Sequence, residues 1–429
     1  MKVRITILSM VALAMLLAGC SSDEGNELLP NENPIEMPEG TKAKPRQDIE
    51  LTSAEGFIMK DLSEFSFRCF KEVMAIETGK SENTVVCPLS LNFAMGMLMN
   101  GLSDEARTEM IKEIFPDVES MEMLNSFNSK IAEGLMNVDN TAVILVNNSI
   151  WYDNTIELNS LFRQEVEKWY EAETGQKDMY AVSSGYEINE WVDNATNGLI
   201  PAIFPEGSAP STPISLINTL YFKGSWAAPF DPKDTFKKNF YNASASVSSV
   251  DMMIQKLAAR YIVDDDMKCV EIPYGNSAFS FYAVMLEGDL GSFIDKMDFD
   301  YWQNLISTMQ MSNDVTVTLP KFKAGCDNID IKRILMNYGL NKVFDSEESL
   351  EGLCSGDLKS SDMQISQTTC ISVEETGSEG ASETHLGFVT GNIGESVAPV
   401  NIEIDHPFLY LIQEKSTGAI IMMGVQREM

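Results

Sequence analysis

The chain has 429 residues, of which 64 are Asp or Glu and 31 are Lys or Arg, for a formal net charge of -33. That surplus repels phosphate backbones, which excludes nucleic acid as a partner and assigns the charge to solubility. The chain is 44% hydrophobic, ample material for a core, but its only two histidines, His385 and His406, put most catalytic devices out of reach.

At the N-terminus, Lys2 and Arg4 precede an apolar stretch from Ile5 to Leu17, interrupted only by Thr6 and Ser9. It is too short to span a bilayer and reads as an export signal. Leu17-Ala18-Gly19-Cys20 is similar to the bacterial lipobox. That likeness implies cleavage before Cys20, lipid attachment there and a signal peptide over 1–19; without it, an ordinary secretory signal would be the reading. Several acyl chains on Cys20, at roughly 0.8 kcal/mol per buried methylene, would hold the protein to a membrane. Ser21-Ser22-Asp23-Glu24 resembles the acidic surface-export tag of Bacteroidetes lipoproteins. The expected location is therefore the bacterial outer membrane, exposed at the cell surface. Residues 20–50, rich in Glu, Asn, Pro and Gly, read as a disordered tether. Residues 51–429 contain no linker or repeat and read as one domain, expected to be monomeric.

Within that domain Leu62, Phe65, Cys69 and Val73 recur at helical spacing and predict a helix over 61–75. Similar stripes predict helices near 88–100, 104–115, 121–136, 159–171 and 186–196. Strands are expected at 142–152, 214–222, 268–273, 279–287 and 313–322, and then a helix near 328–338 that Gly339 ends. Helices and strands partly segregated along the chain indicate an α+β fold. Asp264-Asp265-Asp266 reads as a solvated turn rather than a calcium loop, and no metal or cofactor site is expected. Apart from Cys20, the six cysteines show no paired spacing. Buried thiols are expected, with a disulfide among Cys326, Cys354 and Cys370 as the alternative in an exported protein.

The segment Glu374–Thr384 could be a strand, yet its composition resists being one. At a two-residue period Ser378, Gly380, Ser382 and Thr384 share one face, while Glu379, Ala381 and Glu383 share the other. The first face is small enough to slide between existing strands, but the segment has too little apolar surface to stay folded alone. By composition alone it would be a flexible linker. It is flanked, however, by a strand pattern over Ile365–Val373 and, after a long loop, by Val400, Ile402, Ile404 and the apolar run Phe408–Ile412.

Several blocks of this chain resemble one family. Cys87-Pro88-Leu89-Ser90 resembles the Ser-Pro-x-Ser start of that family's central helix, with Cys87 in place of the usual serine. Ile217-Asn218-Thr219-Leu220-Tyr221-Phe222-Lys223-Gly224-Ser225-Trp226 followed by Phe230, Asn189-Glu190-Trp191-Val192 through Gly198-Leu199-Ile200, Leu319-Pro320-Lys321-Phe322 and His406-Pro407-Phe408 agree with it in order and spacing. So does the hinge from Glu375 through Gly377, Ser378, Glu379, Gly380, Ala381 and Ser382. The likeness runs from the Leu62 region to Gly424-Val425 and is to the serpins.

The resemblance implies a serpin fold, with helices packed on large mixed or antiparallel sheets and an exposed reactive-centre loop. It implies a protease inhibitor that acts as a suicide substrate, not an enzyme. The target cuts the loop and forms an acyl-enzyme, and the hinge then inserts into the main sheet. About 15 residues at roughly 3.3 Å each would carry the enzyme on the order of 50 Å. Counting from the hinge places the scissile bond at Gly391-Asn392, with Thr390-Gly391 next; counting back from Pro407 points near Ser396, so Phe388 to Ser396 stays open. No Lys or Arg lies between Lys359 and Lys415, so trypsin-like enzymes are not expected targets. Elastase-like enzymes accepting Val389 or Thr390, and chymotrypsin-like or cysteine proteases reading Phe388, are. By family position Ser90, Asn218 and Gln367 would form a polar latch on the sheet, Gln367 standing where the family has histidine. Lys321 would pair with Glu375, with Trp226 beside the point of insertion. Two other readings stand beside this one: a non-inhibitory serpin serving as cleavable decoy or binding module, and a glycan-binding surface lipoprotein.

Overall fold

The computed structural model describes residues 43–76, 83–345, 350–355, 358, 365–378 and 399–429. The signal peptide, Cys20, most of the tether and the loop from Glu379 to Ala398, including Phe388, Val389, Thr390, Gly391 and Asn392, lie outside them.

In chain order the first half holds α1 (Ser53–Ile76), β1 (Thr84–Val86), α2 (Pro88–Gly101), α3 (Asp104–Ile114), α4 (Met121–Asn137), β2 (Ala142–Asp153), β3 (Glu157–Leu158), α5 (Ser160–Tyr170), β4 (Glu173–Lys177) and α6 (Val182–Ala195). There follow β5 (Ile214–Ser225), β6 (Phe236–Tyr241), β7 (Val247–Val263), β8 (Met267–Pro273), β9 (Phe279–Leu286), α7 (Leu290–Lys296), α8 (Phe299–Thr308), β10 (Gln310–Pro320) and β11 (Phe322–Asp330). The chain closes with α9 (Ile331–Asn337), α10 (Asn341–Asp345), β12 (Cys354–Ser355), β13 (Ser366–Val373), β14 (Gly377–Ser378), β15 (Val400–Glu403), β16 (Phe408–Glu414) and β17 (Ile420–Gln426).

A nine-stranded sheet runs β1-β17-β16-β9-β8-β7-β10-β15, with β6 paired to β7. A four-stranded sheet runs β14-β5-β2-β4, and β11 and β13 form a ladder of their own. Because β13 leads through a tight turn into β14, which pairs with β5, the two smaller ladders meet at that hinge. The helix α2 touches β5 of the four-stranded sheet and β17 of the large one. Pro88 starts it at a position where no amide hydrogen is needed, and nearly all of its side chains are buried. Gly96 lets Tyr170 come close, for a Cβ there would lie 2.2 Å from the phenol oxygen.

The structure extends or shifts several expected elements. The strand β11 continues to Asp330, and the helix expected from 328 starts at Ile331, because the Asp330 carboxylate caps it by accepting from the Arg333 amide at 3.0 Å. The strands β6 and β7 and the helices α7 and α8 fall where no element was expected. No disulfide joins any of the six described cysteines. No helix among the described residues is long and apolar enough to cross a membrane.

Candidate functional site

A cleft separates β5 from β13. Below the hinge no backbone ladder joins these strands among the described residues: β5 pairs with β2 on its far side, and β13 with β11. Between them lies a cavity of about 690 Å³. One wall is Leu216–Phe222 of β5 and the other Gln367–Ser372 of β13, with Cys87, Ser90, Leu91 and Ala94 on the α2 side and Val192, Thr196 and Leu199 on the α6 side. Asn218 Oδ1, Thr219 Oγ1 and Thr369 Oγ1 on these walls are buried and have no hydrogen-bond partner among the described residues. Buried polar atoms are rarely left this way in a finished sheet.

At the top of the cleft the hinge is seated. Gly377 pairs with Ser225 and Ser378 with Gly224. Gly377 has φ +148°, and a Cβ there would lie 2.0 Å from Gly224 O, so only glycine fits. The turn before it is tied down through three of its carbonyls: Trp226 N donates to Thr376 O at 3.0 Å, Phe230 N to Glu375 O at 2.9 Å, and the Trp226 indole Nε1 to Glu374 O at 2.9 Å. Lys321 Nζ stands 2.7 Å from Glu375 Oε2, and Thr235 Oγ1 donates to Glu375 Oε1 at 2.9 Å. Burial works against the Glu375 charge, but Lys321, a backbone amide and Thr235 outweigh it and hold the carboxyl below its ordinary range. The same hydrogen bond raises the Lys321 ammonium. The pairing expected of Lys321, Glu375 and Trp226 is thus present as geometry.

The expected latch is arranged differently. Gln367 Oε1 accepts from Cys87 N at 3.0 Å, and Gln367 Nε2 donates to Cys87 O at 2.8 Å. Its carboxamide pairs with a backbone peptide much as two peptides pair in a sheet, and so fixes β13 to the start of α2. Asn218 turns the other way, and its Nδ2 donates to Asn148 Oδ1 on β2 at 2.7 Å. Ser90 lines the cleft and is buried, and among the described residues no hydrogen bond links it to Asn218 or Gln367. Each lip of the cleft is therefore anchored to its own side. Of the remaining expected residues, Glu379, Gly380, Ala381 and Ser382 lie outside the described ones.

Sequence reasoning passed over two residues of this site. Tyr274, between β8 and β9, stacks on Trp226 with centroids 4.4 Å apart, and its hydroxyl lies 2.7 Å from Ser378 Oγ. The Pro273-Tyr274-Gly275-Asn276 turn signal is visible in the sequence, but its partner across the fold is not. Thr235 carries no local signal.

A split sheet closed at one end by a seated hinge, with the buried oxygens of Asn218, Thr219 and Thr369 unpartnered among the described residues below it, leaves room for another strand. The serine protease inhibitor (serpin) family model matches residues 60–428. The chain belongs to the serpin family, whose members are in general protease inhibitors rather than catalysts. A serine protease inhibitor of Cyanea capillata is 28% identical over 366 residues, covering 81% of this chain and 93% of the relative. Iripin-3 of Ixodes ricinus is 28% identical, covering 81% and 90%. Among solved structures, the native state of the thermophilic serpin tengpin aligns with a TM-score of 0.75 at 23% identity, over 92% of this chain and 100% of tengpin.

Proposed function

We propose that the protein inhibits a protease as a suicide substrate. The protease nucleophile attacks the carbonyl carbon at the scissile bond of the 388–396 region, and the amine of the following residue leaves. While the acyl bond to the enzyme persists, the freed loop enters the cleft between β5 and β13 as a new strand. Strand addition to an unpaired sheet edge is a general physical mode, of which serpin loop insertion is a standing example.

The match between the cleft walls and the loop sequence carries this reading. The hinge register, Gly377 to Ser225 and Ser378 to Gly224, with the Glu374–Gly377 bridge on the other side, can be continued down the gap. Gly380 then falls between Phe222 and Ile371, where a bulkier residue would meet both side chains. Ser382 comes opposite Thr369, Glu383 opposite Thr219 and Thr384 opposite Asn218. These three wall residues have buried side-chain oxygens with no partner among the described residues. Directly opposed residues share a face in an antiparallel ladder, so each would gain a polar neighbour on insertion. The absence of Lys and Arg between Lys359 and Lys415 favours elastase-like or chymotrypsin-like targets, with cysteine proteases reading Phe388 in the same class of candidates.

Incubating the mature protein with an elastase and with trypsin tests this on denaturing gels, with mass analysis of the released C-terminal peptide. A covalent band with elastase and none with trypsin is expected, and the peptide mass fixes the bond. Clean cleavage by every serine or cysteine protease tried, with no covalent band, would move the function to a cleavable decoy. The proposal extends to location: the Leu17–Cys20 motif supports a lipid anchor at Cys20 in the outer membrane. Cys20→Ser should move the protein out of the membrane fraction, and an unchanged distribution would reject the anchor.

A further inference from the structure

Building on the inhibitory reading, we infer that Tyr274 is the positioning residue that seats the hinge, and that it selects a hydroxyl at position 378 as the first rung of the entering strand. Ser378 Oγ and Tyr274 Oη are 2.7 Å apart, and the two residues are 2% and 0% exposed. A short hydrogen bond between two hydroxyls shut away from water leaves neither a ready substitute partner.

Tyr274 cannot follow the hinge if it moves. Its ring is stacked on Trp226 at 12° and meets the edge of Phe222 at 5.1 Å. Its backbone is held in the turn between β8 and β9 by Tyr274 N donating to Phe279 O at 2.9 Å and Gly275 N to Ser225 O at 2.9 Å. That turn is anchored in turn by Asp139, whose carboxylate accepts from Asn276 N at 3.1 Å. The phenol is therefore a fixed acceptor and donor aimed at one point of the cleft. Burial raises its pKa, so it stays a neutral hydroxyl at working pH.

At the next inward rung, position 380, the wall offers Phe222 and Ile371, which ask only that an entering residue be small; polar wall groups return at Thr369 and Asn218, opposite positions 382 and 384. The first rung is different because its polar partner is already bonded to it in the resting fold. Gly224 opposite it has no side chain, and a Cβ there would lie 2.8 Å from both Phe222 and Tyr274, so the two rings close over this rung only because position 224 is glycine. With Gly377 and Ser378 already paired, insertion starts from a formed nucleus rather than from a free loop. The Tyr274–Ser378 bond is what keeps that nucleus formed before a protease arrives.

The test uses the full mature chain with Tyr274→Phe, Ser378→Ala, Ser378→Thr and the Tyr274→Phe/Ser378→Ala double variant. The first readout is amide exchange of Trp226, which donates to Thr376, and of the peptide spanning Thr376–Ser378. It needs no protease. Tyr274→Phe and Ser378→Ala should each speed this exchange about tenfold or more, and the double variant should be no faster than the worse single one. Ser378→Thr should stay within about twofold of wild type. The second readout is the stoichiometry of inhibition against a protease that the wild type traps, which should rise in the single variants as more loop is cut without insertion. Unchanged hinge exchange in both Tyr274→Phe and Ser378→Ala, or multiplying effects in the double variant, would overturn the inference. If Tyr274→Phe fails to fold, Ser378→Ala against Ser378→Thr reports the same bond from the other side. A wild type that traps no protease while the exchange pattern holds would sink the inhibitory reading and leave the seating intact.

Discussion

Replacing Gln367 with leucine tests how the cleft is held. The substitution keeps the side chain's bulk and removes both bonds to Cys87, at 3.0 and 2.8 Å. Cys87 O keeps the Leu91 amide at 3.2 Å, but Cys87 N–H is left without a partner in a residue only 3% exposed. Two net hydrogen bonds at about 1 kcal/mol each, with a stranded buried donor adding about 1–3 kcal/mol where it cannot relax, put the loss at roughly 2–4 kcal/mol. Because strand uptake would be irreversible, the observable is a rate rather than an equilibrium. If β13 must leave α2 for the cleft to widen, even about 2 kcal/mol lost from the resting state shortens its half-life about 30-fold. The assay follows tryptophan fluorescence and residual inhibition during incubation at a fixed temperature a few degrees below melting. A Gln367→Leu half-life within about twofold of wild type would refute the reasoning. A double-variant cycle with Asn218→Ala separates the two arrangements of the latch. Since Asn218 and Gln367 share no partner, their effects should add within about 0.5 kcal/mol, whereas a latch across the cleft would couple them. Gln367→His should introduce a pH dependence centred at about 6.5, because an imidazolium cannot accept from Cys87 N–H.

Glu375→Gln should weaken the hinge by about 1 kcal/mol at neutral pH, a modest figure because the Lys321 side chain is 33% exposed and solvent screens the pair. With the folded Glu375 carboxyl held below its ordinary value of 4.5, the wild-type advantage is present above that pH and is lost as pH falls through the folded value. Melting curves of the two proteins should therefore converge in acid, and parallel curves would contradict the ion-pair account. Asp61 on α1 has the opposite sign. Burial, with Asp117 and Glu64 nearby, raises it to about 6 despite a bond from the Asp117 amide. Its ionisation thus costs stability above pH 6, and the cost fades as pH falls toward 3.8. Asp61→Asn, which keeps an acceptor for that amide, should raise stability by about 1–3 kcal/mol at pH 8 and by nothing measurable near pH 4. A gain independent of pH would point to packing instead.

What could be read from the sequence follows how local the deciding forces are. The helix α2 is legible because Pro88 and an unbroken apolar run are enough to start and bury it. The strand β5 is legible in the block Ile217–Trp226, and the small buried side chain of the hinge at Ser378, since a two-residue period needs no knowledge of the partner. The strand β7 is not legible. It pairs with β6 near one end, with β10 along its middle and with β8 near the other end. Asp251, Gln255, Lys256 and Arg260 therefore interrupt the alternation on which pattern reading depends. The sequence predicts α9 a few residues early because the run after Cys326 has helical spacing, while its backbone is still paired to β13 as far as Asp330.

The latch shows where local reasoning stops. A glutamine at 367 can donate and accept, and this much is legible from one letter. Whether it reaches across the cleft to Asn218 or back to Cys87 depends on which peptide lies within 3.0 Å of its carboxamide, a choice made by the packing of β13 on α2. Asn218 is decided in the same way by Asn148. Once each lip has its own anchor, no side-chain bond between Asn218 and Gln367 spans the gap among the described residues. On the proposed mechanism, the barrier to widening would reside in the Cys87–Gln367 pair on one lip, while the seated hinge at the top would supply the nucleus from which insertion starts. That division places the control of the cleft in contacts between residues far apart in the chain, such as Gln367 with Cys87 and Ser378 with Tyr274.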